Sequence, residues 1–197
     1  MPVGGKETPG RGREGRGGAG GMGEVGQGGG MTEFQTMPFH LETERLVLRP
    51  WAESDAPVFC SLLAERGEGK PPEDRIRKAI GGFLAATETT GIALLPIVRR
   101  AEGDFIGYCG LIVGRASLEE PEIAYELFER VHGNGYATEA AAAVVEAARA
   151  TGRERLWSTV GTWNAPSLRV LEKLGFTRDR VTTEEKGEVF WLTRTLR

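Results

Sequence analysis

Two closely spaced glycines precede an alanine-rich segment in VHGNGYATEAAAAVVEAARATG, which runs from residue 131 to 152. Glycine lowers helix stability, so Gly133 and Gly135 are expected in a turn before a helix that ends at Gly152. Unpaired backbone N–H groups and the helix dipole make such a helix start a binding site for an anion. A lone Gly-x-Gly is also typical of a tight turn without a ligand, so both interpretations stay open at this point.

A second candidate for chemistry is a pair of carboxylates, Glu122 and Glu126, in the segment EIAYEL. Alternate side chains of a strand share one face, so the two carboxylates are expected on the same side of the sheet. The pair indicates either a polar cleft, where a carboxylate could accept a proton, or two ordinary surface residues.

The elements that must position these residues follow from hydrophobic periodicity and turn signals. After Leu41 the patterns predict the order β-α-α-β-β-β-α-β-α-β-β, with helices in ESDAPVFCSLLAER, over 73–89, after Gly135 and in NAPSLRVLEKLGF. Pro96, within the strand GIALLPIVRR, favours an edge position or a bulge. This order is typical of an α+β or mixed α/β domain built around one sheet.

Composition excludes several classes of function. The net charge of −3 gives no general cationic field for nucleic acid. No apolar run approaches the roughly 20 residues of a membrane helix. With two cysteines and two histidines, we expect a reducing, cytoplasmic setting and no metal site. The 197 residues suffice for one domain with a substantial core.

The first thirty residues differ from the rest, because they contain 14 glycines and almost no large apolar side chains. Such a segment is expected to be disordered, so we assign 1–38 to a Gly/Arg-rich tail and 39–197 to the folded domain. The Arg-Gly pattern also permits an RNA-binding tail, although aromatic residues are absent from 1–30. Alternatively, the segment results from an upstream start codon, and Met31 or Met37 opens the functional protein.

Four passages together resemble a known family: LETERLVLRPW, EIAYEL, HGNGYATEA and WNAPSLRVLEKLGF, which span Leu41 to Phe176. The chain resembles the GNAT family of N-acetyltransferases, and within it the RimJ/RimL-like ribosomal-protein alanine N-acetyltransferases. The resemblance implies a mixed α/β GNAT fold. Its sheet is mostly antiparallel and twisted, has about six to seven strands with helices on both faces, and contains a splayed strand pair at the cofactor site.

The resemblance also implies direct transfer of the acetyl group of acetyl-CoA to a primary amine, without a metal. The glycine turn would bind the pyrophosphate, the EIAYEL strand the pantetheine, and WNAPS the cofactor arm. Asn164 equally suits a helix N-cap, and the two roles can coexist. The cofactor-binding residues are predicted to be Tyr125, Glu126, Leu127, Gly133, Asn134, Gly135, Tyr136, Ala137, Thr138, Asn164 and Ser167.

Two registers fit the family's cofactor signature, whose first position is Gln or Arg. Arg130 matches it literally when Gly133 and Gly135 follow as the glycine positions. We prefer the register that starts at His132 and continues through Gly135 and Ala137, because the helical pattern begins only after Gly135.

The catalytic residues implied by the resemblance are Glu122 as the base and Ser167 as the hydrogen-bond donor to the leaving thiolate. Ser167 replaces a tyrosine that many members carry where this chain has Leu171. The partner is an amine-bearing acceptor, either a protein N-terminus or a small molecule, and the protein is a monomer or homodimer. The alternative is a non-catalytic acyl-CoA-binding or regulatory domain, for which Leu171 is the only support.

Overall fold

The computed structural model describes residues 34–185 and 187–197, and the tail predicted for 1–30 lies outside the described residues. Its four α-helices fall where the sequence predicts them: α1 Ala56–Ala64, α2 Glu73–Thr90, α3 Tyr136–Ala150 and α4 Ala165–Lys173. Helix α3 starts directly after Gly135, and α2 ends at a left-handed Gly91 with φ of 68°. Asp55, directly before α1, makes no side-chain cap; its carboxylate accepts hydrogen bonds from the Arg49 side chain and from the Ala52 amide.

The strands form one eight-stranded sheet in the order β1-β2-β3-β4-β5-β6-β8-β7. Their bounds are β1 Leu41–Glu42, β2 Leu46–Leu48, β3 Leu94–Arg99, β4 Phe105–Ile112, β5 Glu122–Leu127, β6 Arg155–Gly161, β7 Thr177–Glu184 and β8 Gly187–Thr195. The predicted count of six to seven missed β1, because two residues carry no recognisable strand periodicity. Mixed α/β with a mostly antiparallel sheet is confirmed.

The exception to antiparallel pairing is the contact between β5 and β6, which is parallel and holds at one place only, Glu122 beside Trp157. The Trp157 amide there donates to the Pro121 carbonyl at 2.9 Å. Beyond this point no further backbone pair joins the two strands, although the Ser158 hydroxyl of β6 donates to the Ile123 carbonyl at 3.4 Å. From Tyr125 onward the backbone of β5 therefore has no partner in β6. The sheet therefore splits at the strand that carries both candidate carboxylates.

Pro96 lies in an interior strand, not at an edge, since β3 pairs with β2 on one side and β4 on the other. The register between β3 and β4 shifts between Ile97 and Val98, next to the proline. The bulge alternative is therefore correct, because an irregularity beside Pro96 accommodates the missing backbone donor.

Helix α3 packs against β2, β4 and β5 through a face of small residues. Ala140, Ala141, Val144 and Ala148 are all fully buried there. Small side chains let the helix axis approach the sheet closely, which fixes the height of its first turn above β5. Within the described residues, no helix is long and apolar enough to cross a membrane.

The described residues that precede position 39 contact the domain, although we assigned 1–38 to the tail. The Gln35 amide donates to the Thr151 carbonyl at 3.0 Å, and the Met37 amide to the Gly91 carbonyl at 2.9 Å. The Met37 side chain is 1% exposed, and the Phe34 ring lies 4.8 Å from the Arg153 guanidinium. Residues 34–37 thus contribute to the folded unit.

These contacts generate a prediction for the N-terminal segment. Met37→Ala should lower the free energy of unfolding by about 2–5 kcal/mol, because it removes a fully buried side chain and leaves a cavity. Deleting residues 1–30 should leave that free energy unchanged, and Met22→Ala is the matched control within the deleted segment. Urea unfolding of the four proteins checks this. Loss of stability in the deletion variant would show that 1–30 belongs to the domain.

Candidate active site

A cleft of about 510 Å³ opens where the C-terminal end of β5 meets the start of α3 and one face of α4. The structure brings ten of the predicted cofactor-binding residues to its wall: Tyr125, Glu126, Leu127, Gly133, Gly135, Tyr136, Ala137, Thr138, Asn164 and Ser167. The eleventh, Asn134, does not line the cleft. Residues far apart in the sequence therefore meet around one space that is large enough for an elongated ligand.

The glycine turn presents its backbone to this cleft. Gly133 and Gly135 have φ of 79° and 81°, a region that side-chain-bearing residues rarely adopt. A Cβ at Gly133 would meet no atom within 4 Å, and one at Gly135 only the Arg45 guanidinium at 3.5 Å. The space before the turn is open, and the amides of the first turn of α3 have no partner within the helix. The turn thus fits a phosphate group.

Arg130 and His132, the first positions of the two possible signature registers, both bind other groups of the protein. Contacts to an anion are therefore left to the backbone. The His132 ring donates to the Leu127 carbonyl at 2.9 Å, and Arg130 pairs with Asp104 at 3.1 Å. The Asn134 amide donates to the Val131 carbonyl at 3.1 Å, which explains why this side chain is absent from the cleft wall. These bonds stabilise the turn from inside.

Arg45, which precedes β2, anchors the glycine turn from outside. Its guanidinium pairs with Glu139 of α3 at 2.6 Å, donates to the Asn134 carbonyl at 3.0 Å and lies 4.5 Å from the Tyr136 ring centre. The Glu139 carboxylate also accepts from the Thr43 hydroxyl at 2.6 Å. This network ties the turn to the first part of the sheet, and the sequence analysis did not find it.

Helix α4 adds two cations that the sequence analysis also missed. Arg169 and Lys173 line the cleft together with Pro166 and Val170, at the i, i+3, i+4 and i+7 spacing of one helical face. Neither cation has a hydrogen-bond or ion-pair partner among the described residues. The spacing was a usable signal, because it places both cations on the same face as the predicted cofactor contacts. Exposed Trp163 stands at the edge of the same cleft.

A second cavity, of about 430 Å³, occupies the wedge between β5 and β6 and contains Glu122. Glu122 is 4% exposed, which rules out the surface alternative for this residue. One of its carboxylate oxygens accepts from the Arg115 amide and the other from the Thr159 hydroxyl at 2.8 Å. The Arg115 side chain bridges onward to Glu184 of β7 at 2.7 Å. We call this cavity the wedge.

Three residues, Tyr125, Asn164 and Ser167, line both the cleft and the wedge. The Asn164 side chain accepts from the Ser167 amide at 3.2 Å, so the N-cap interpretation is confirmed. The Tyr125 hydroxyl donates to the Ser167 carbonyl at 3.1 Å, while the Ser167 hydroxyl has no partner among the described residues. Ser167 is therefore free to donate a hydrogen bond at the junction of the two spaces.

Glu126 shares a strand with Glu122 but lies in the other cavity. Its carboxylate accepts from the Arg66 side chain and from the Tyr108 hydroxyl, the latter at 2.8 Å. Burial, followed by the nearby Glu126 charge, raises the pKa of Tyr108 well above its usual value. Glu126 is thus held in an ion pair with Arg66, whereas Glu122 accepts from an uncharged amide and a hydroxyl, which favours Glu122 as the candidate base.

Two further residues, Leu171 and Cys109, are buried in the core and have no part in the site. Leu171, which stands where many family members carry a tyrosine, is fully buried. Cys109 is fully buried too, and burial raises the pKa of its thiol, so it is unsuited to act as a nucleophile. No group of three or more His, Cys, Asp or Glu side chains is arranged to hold a metal within 34–185 and 187–197.

The Arg45–Glu139 pair generates a prediction about pH. Burial alone would raise the pKa of Glu139, but hydrogen bonds from Thr43 and Arg45 bring it below its usual value. The stabilisation is therefore complete above the unfolded-state pKa of about 4.3 and is lost as pH falls through the lower folded-state pKa. Glu139→Gln should lower the free energy of unfolding by about 1.5–3 kcal/mol at pH 7.

Urea titrations from pH 7 to pH 3 check this prediction, since the difference between wild type and Glu139→Gln should shrink below about pH 4. Glu146→Gln on the same helix is the matched control, because its carboxylate is exposed and pairs only with Arg149 three residues on. A pH-independent difference for Glu139→Gln would contradict the ionic origin of the effect.

Comparison with known proteins agrees with this geometry. The family model described as "Acetyltransferase (GNAT) domain" matches residues 45–177. The curated protein "Uncharacterized N-acetyltransferase YoaA" of Bacillus subtilis is 30% identical over 149 residues, which are 72% of this chain and 84% of that protein.

Solved structures show the same fold. An acetyltransferase from Agrobacterium tumefaciens superposes with a TM-score of 0.67 at 29% identity, over 84% of this chain and 99% of that one. RimJ of Mycobacterium smegmatis, solved in complex with CoA-disulfide, gives a TM-score of 0.64 at 23% identity, over 76% and 81% of the two chains. By its domain match, and with a fold that agrees, the chain belongs to the GNAT acetyltransferase family.

Proposed function

We propose that the protein transfers the acetyl group of acetyl-CoA directly to a primary amine. The observation that carries this proposal is the wall formed by Tyr125, Asn164 and Ser167, which the cleft below the glycine turn shares with the wedge that holds Glu122. One space suits a long anionic cofactor and the other holds a buried carboxylate. The RimJ neighbour that was solved with CoA supports the same cofactor for this chain.

In this proposal, different residues of the cleft bind different parts of the cofactor. Backbone amides from Gly133 to Thr138 bind the pyrophosphate. The backbone of Tyr125–Leu127 that β6 leaves unpaired, apart from the Leu127 carbonyl that His132 occupies, hydrogen-bonds the pantetheine amides. Arg169 and Lys173 supply positive charge for the phosphates on a protein whose net charge is −3. Bound acetyl-CoA supplies an acetyl group activated as a thioester, with a thiol of pKa near 8.5 as leaving group.

Glu122 is the proposed proton acceptor. A carboxylate offers about four lone-pair positions, of which the Arg115 amide and the Thr159 hydroxyl occupy two. The amine nitrogen forms a bond to the acetyl carbon as the C–S bond breaks, and its surplus proton passes to Glu122. Ser167 donates a hydrogen bond to the sulfur as it leaves with the electron pair.

The acceptor is either a protein N-terminal amine or a small-molecule amine. An α-amine with pKa near 8 pays only about 1.4 kcal/mol to be neutral at pH 7, against about 4.6 kcal/mol for a lysine side chain. One proton acceptor in the wedge therefore suffices for an α-amine. Buried free thiols at Cys60 and Cys109 suit a cytoplasmic location.

The glycine turn provides the test of cofactor binding. Acetyl-CoA at a hundredfold excess over its dissociation constant should stabilise the wild-type protein by about 2.7 kcal/mol in thermal unfolding. Gly135→Val should weaken binding more than 100-fold, because φ of 81° strains a β-branched residue and displaces the backbone that aims several amides at one anion.

Gly103→Val is the matched control for that experiment. Gly103 also has positive φ, 69°, and open space around its Cβ position, but it lies in the turn between β3 and β4. Both variants should lose about 1–2 kcal/mol of stability from backbone strain, yet only Gly135→Val should lose the cofactor. Normal CoA binding by Gly135→Val would show that the glycine turn has no role in cofactor binding.

The wedge provides the test of chemistry. Glu122→Gln should lower kcat about 10²- to 10⁴-fold and Ser167→Ala about 10- to 100-fold, measured as thiol release from acetyl-CoA with an amine panel. Acetyl-CoA affinity should change far less in both. Ser61→Ala should be unaffected, because the Ser61 hydroxyl donates to the Pro57 carbonyl within α1 and lines neither the cleft nor the wedge. Saturable acetyl-CoA binding without transfer to any amine would instead indicate a non-catalytic acyl-CoA-binding domain.

A further inference from the structure

A third cavity, of about 520 Å³, lies between α1, α2 and the loop that joins them. We call it the α1–α2 cavity. Aromatic and aliphatic side chains form its floor, with Phe59, Leu63, Phe83 and Tyr108 among them. The Phe59 and Tyr108 rings lie 5.8 Å apart in an edge-on arrangement, and Leu63 and Phe83 are only half-buried. The cavity thus leaves an apolar, aromatic surface uncovered, as binding sites do.

Cations outnumber carboxylates in the lining of the α1–α2 cavity, with Arg66, Lys70 and Arg75 against Glu68. Lys70 and Arg75 both line it and are exposed. Within the part of the chain that the structure describes, neither makes an ion pair or a side-chain hydrogen bond, whereas Arg77 nearby pairs with Glu73. Two cations without partners at the edge of an apolar cavity complement a ligand that combines an apolar group with a carboxylate.

The α1–α2 cavity adjoins the site of transfer through two shared residues. Tyr108 lines both this cavity and the wedge, and Arg66 lines both this cavity and the cleft. The two side chains meet on Glu126, which accepts from the Tyr108 hydroxyl at 2.8 Å and from the Arg66 Nε at 2.9 Å. A molecule seated in the α1–α2 cavity therefore lies one side chain away from the thioester end of the cleft.

We propose that the α1–α2 cavity binds the body of the acceptor, and that the acceptor is an amino acid with an aromatic or long aliphatic side chain and a free carboxylate. This inference rests on the proposed acetyl transfer and narrows its amine. The side chain contacts the floor, the carboxylate faces Lys70 and Arg75, and the amine points toward the wedge. A polyamine or an aminoglycoside has neither the apolar group nor the anion.

A kinetic comparison tests the ligand side. With saturating acetyl-CoA, kcat/KM is measured for L-phenylalanine, L-phenylalaninamide, L-alanine and spermidine. We expect L-phenylalanine to exceed L-alanine by about 10-fold or more, because burying a large side chain contributes that much. After both rates are corrected for the fraction of neutral amine at the assay pH, it should exceed its amide about fivefold, as expected for a carboxylate near exposed cations. Equal rates for L-phenylalanine and L-alanine, or a preference for spermidine, would overturn the proposal.

Variants test the protein side. Ala79→Trp fills the cavity from α2 and should raise the KM for L-phenylalanine at least 10-fold while acetyl-CoA affinity stays unchanged. Ala85→Trp is the matched control, since Ala85 is exposed on the same helix and does not line the cavity. Arg75→Ala should remove the preference for L-phenylalanine over its amide, with Lys78→Ala as the control for charge.

Calorimetric titration of L-phenylalanine into the CoA-loaded protein separates this proposal from the proposed function. Binding that Ala79→Trp abolishes and Ala85→Trp preserves supports the cavity assignment even if no amine is acetylated. Acetylation of other amines, together with L-phenylalanine kinetics and binding that Ala79→Trp leaves unchanged, would overturn the assignment and leave acetyl transfer standing. Arg75→Ala, an exposed substitution, gives an independent reading if Ala79→Trp folds poorly.

Discussion

The parting of β5 from β6 is the constraint on which the rest of the site depends. The two strands share one parallel pair at Glu122 and Trp157 and then diverge. One edge of β5 is therefore left without a neighbouring strand. The split is closed at its narrow end by the Glu122 carboxylate, which accepts from the Arg115 amide and from Thr159 of β6. The same buried side chain therefore ends the pairing and supplies the carboxylate of the wedge.

Helix α4 keeps the split open at its wide end. Its N-cap, Asn164, and its first-turn Ser167 line the wedge, and the Tyr125 side-chain hydroxyl of β5 donates to the Ser167 carbonyl. Backbone groups of β5 that would be paired in a closed sheet are thus left available to a ligand. Geometry of this kind needs no unusual residue, only a strand end and a helix of nine residues placed together.

Local patterns in the sequence predicted the elements well and the contacts between them poorly. The start of α3 after Gly135 followed from glycine and alanine propensities, which act within a few residues. Arg45 and Glu139, by contrast, are 94 positions apart, and nothing in either neighbourhood marks the pair. The same limit applies to Asn134, which fits the motif but turns inward, and to Met37, whose burial depends on the loop at Gly91. Arg169 and Lys173 were missed, but their helical spacing is a local signal from which they could have been predicted.

The ion pair between Arg66 and Glu126 has a consequence for how ligands in neighbouring cavities affect each other's affinity. Its two members stand on the walls of adjoining spaces, Glu126 in the cleft and Arg66 in both the cleft and the α1–α2 cavity. Any ligand that shifts one of these side chains changes the energy of the space on the other side. By thermodynamic reciprocity, two ligands that meet across such a pair alter each other's affinity by the same factor. The salt bridge is therefore a contact through which a ligand in the cleft and a ligand in the α1–α2 cavity would alter each other's binding.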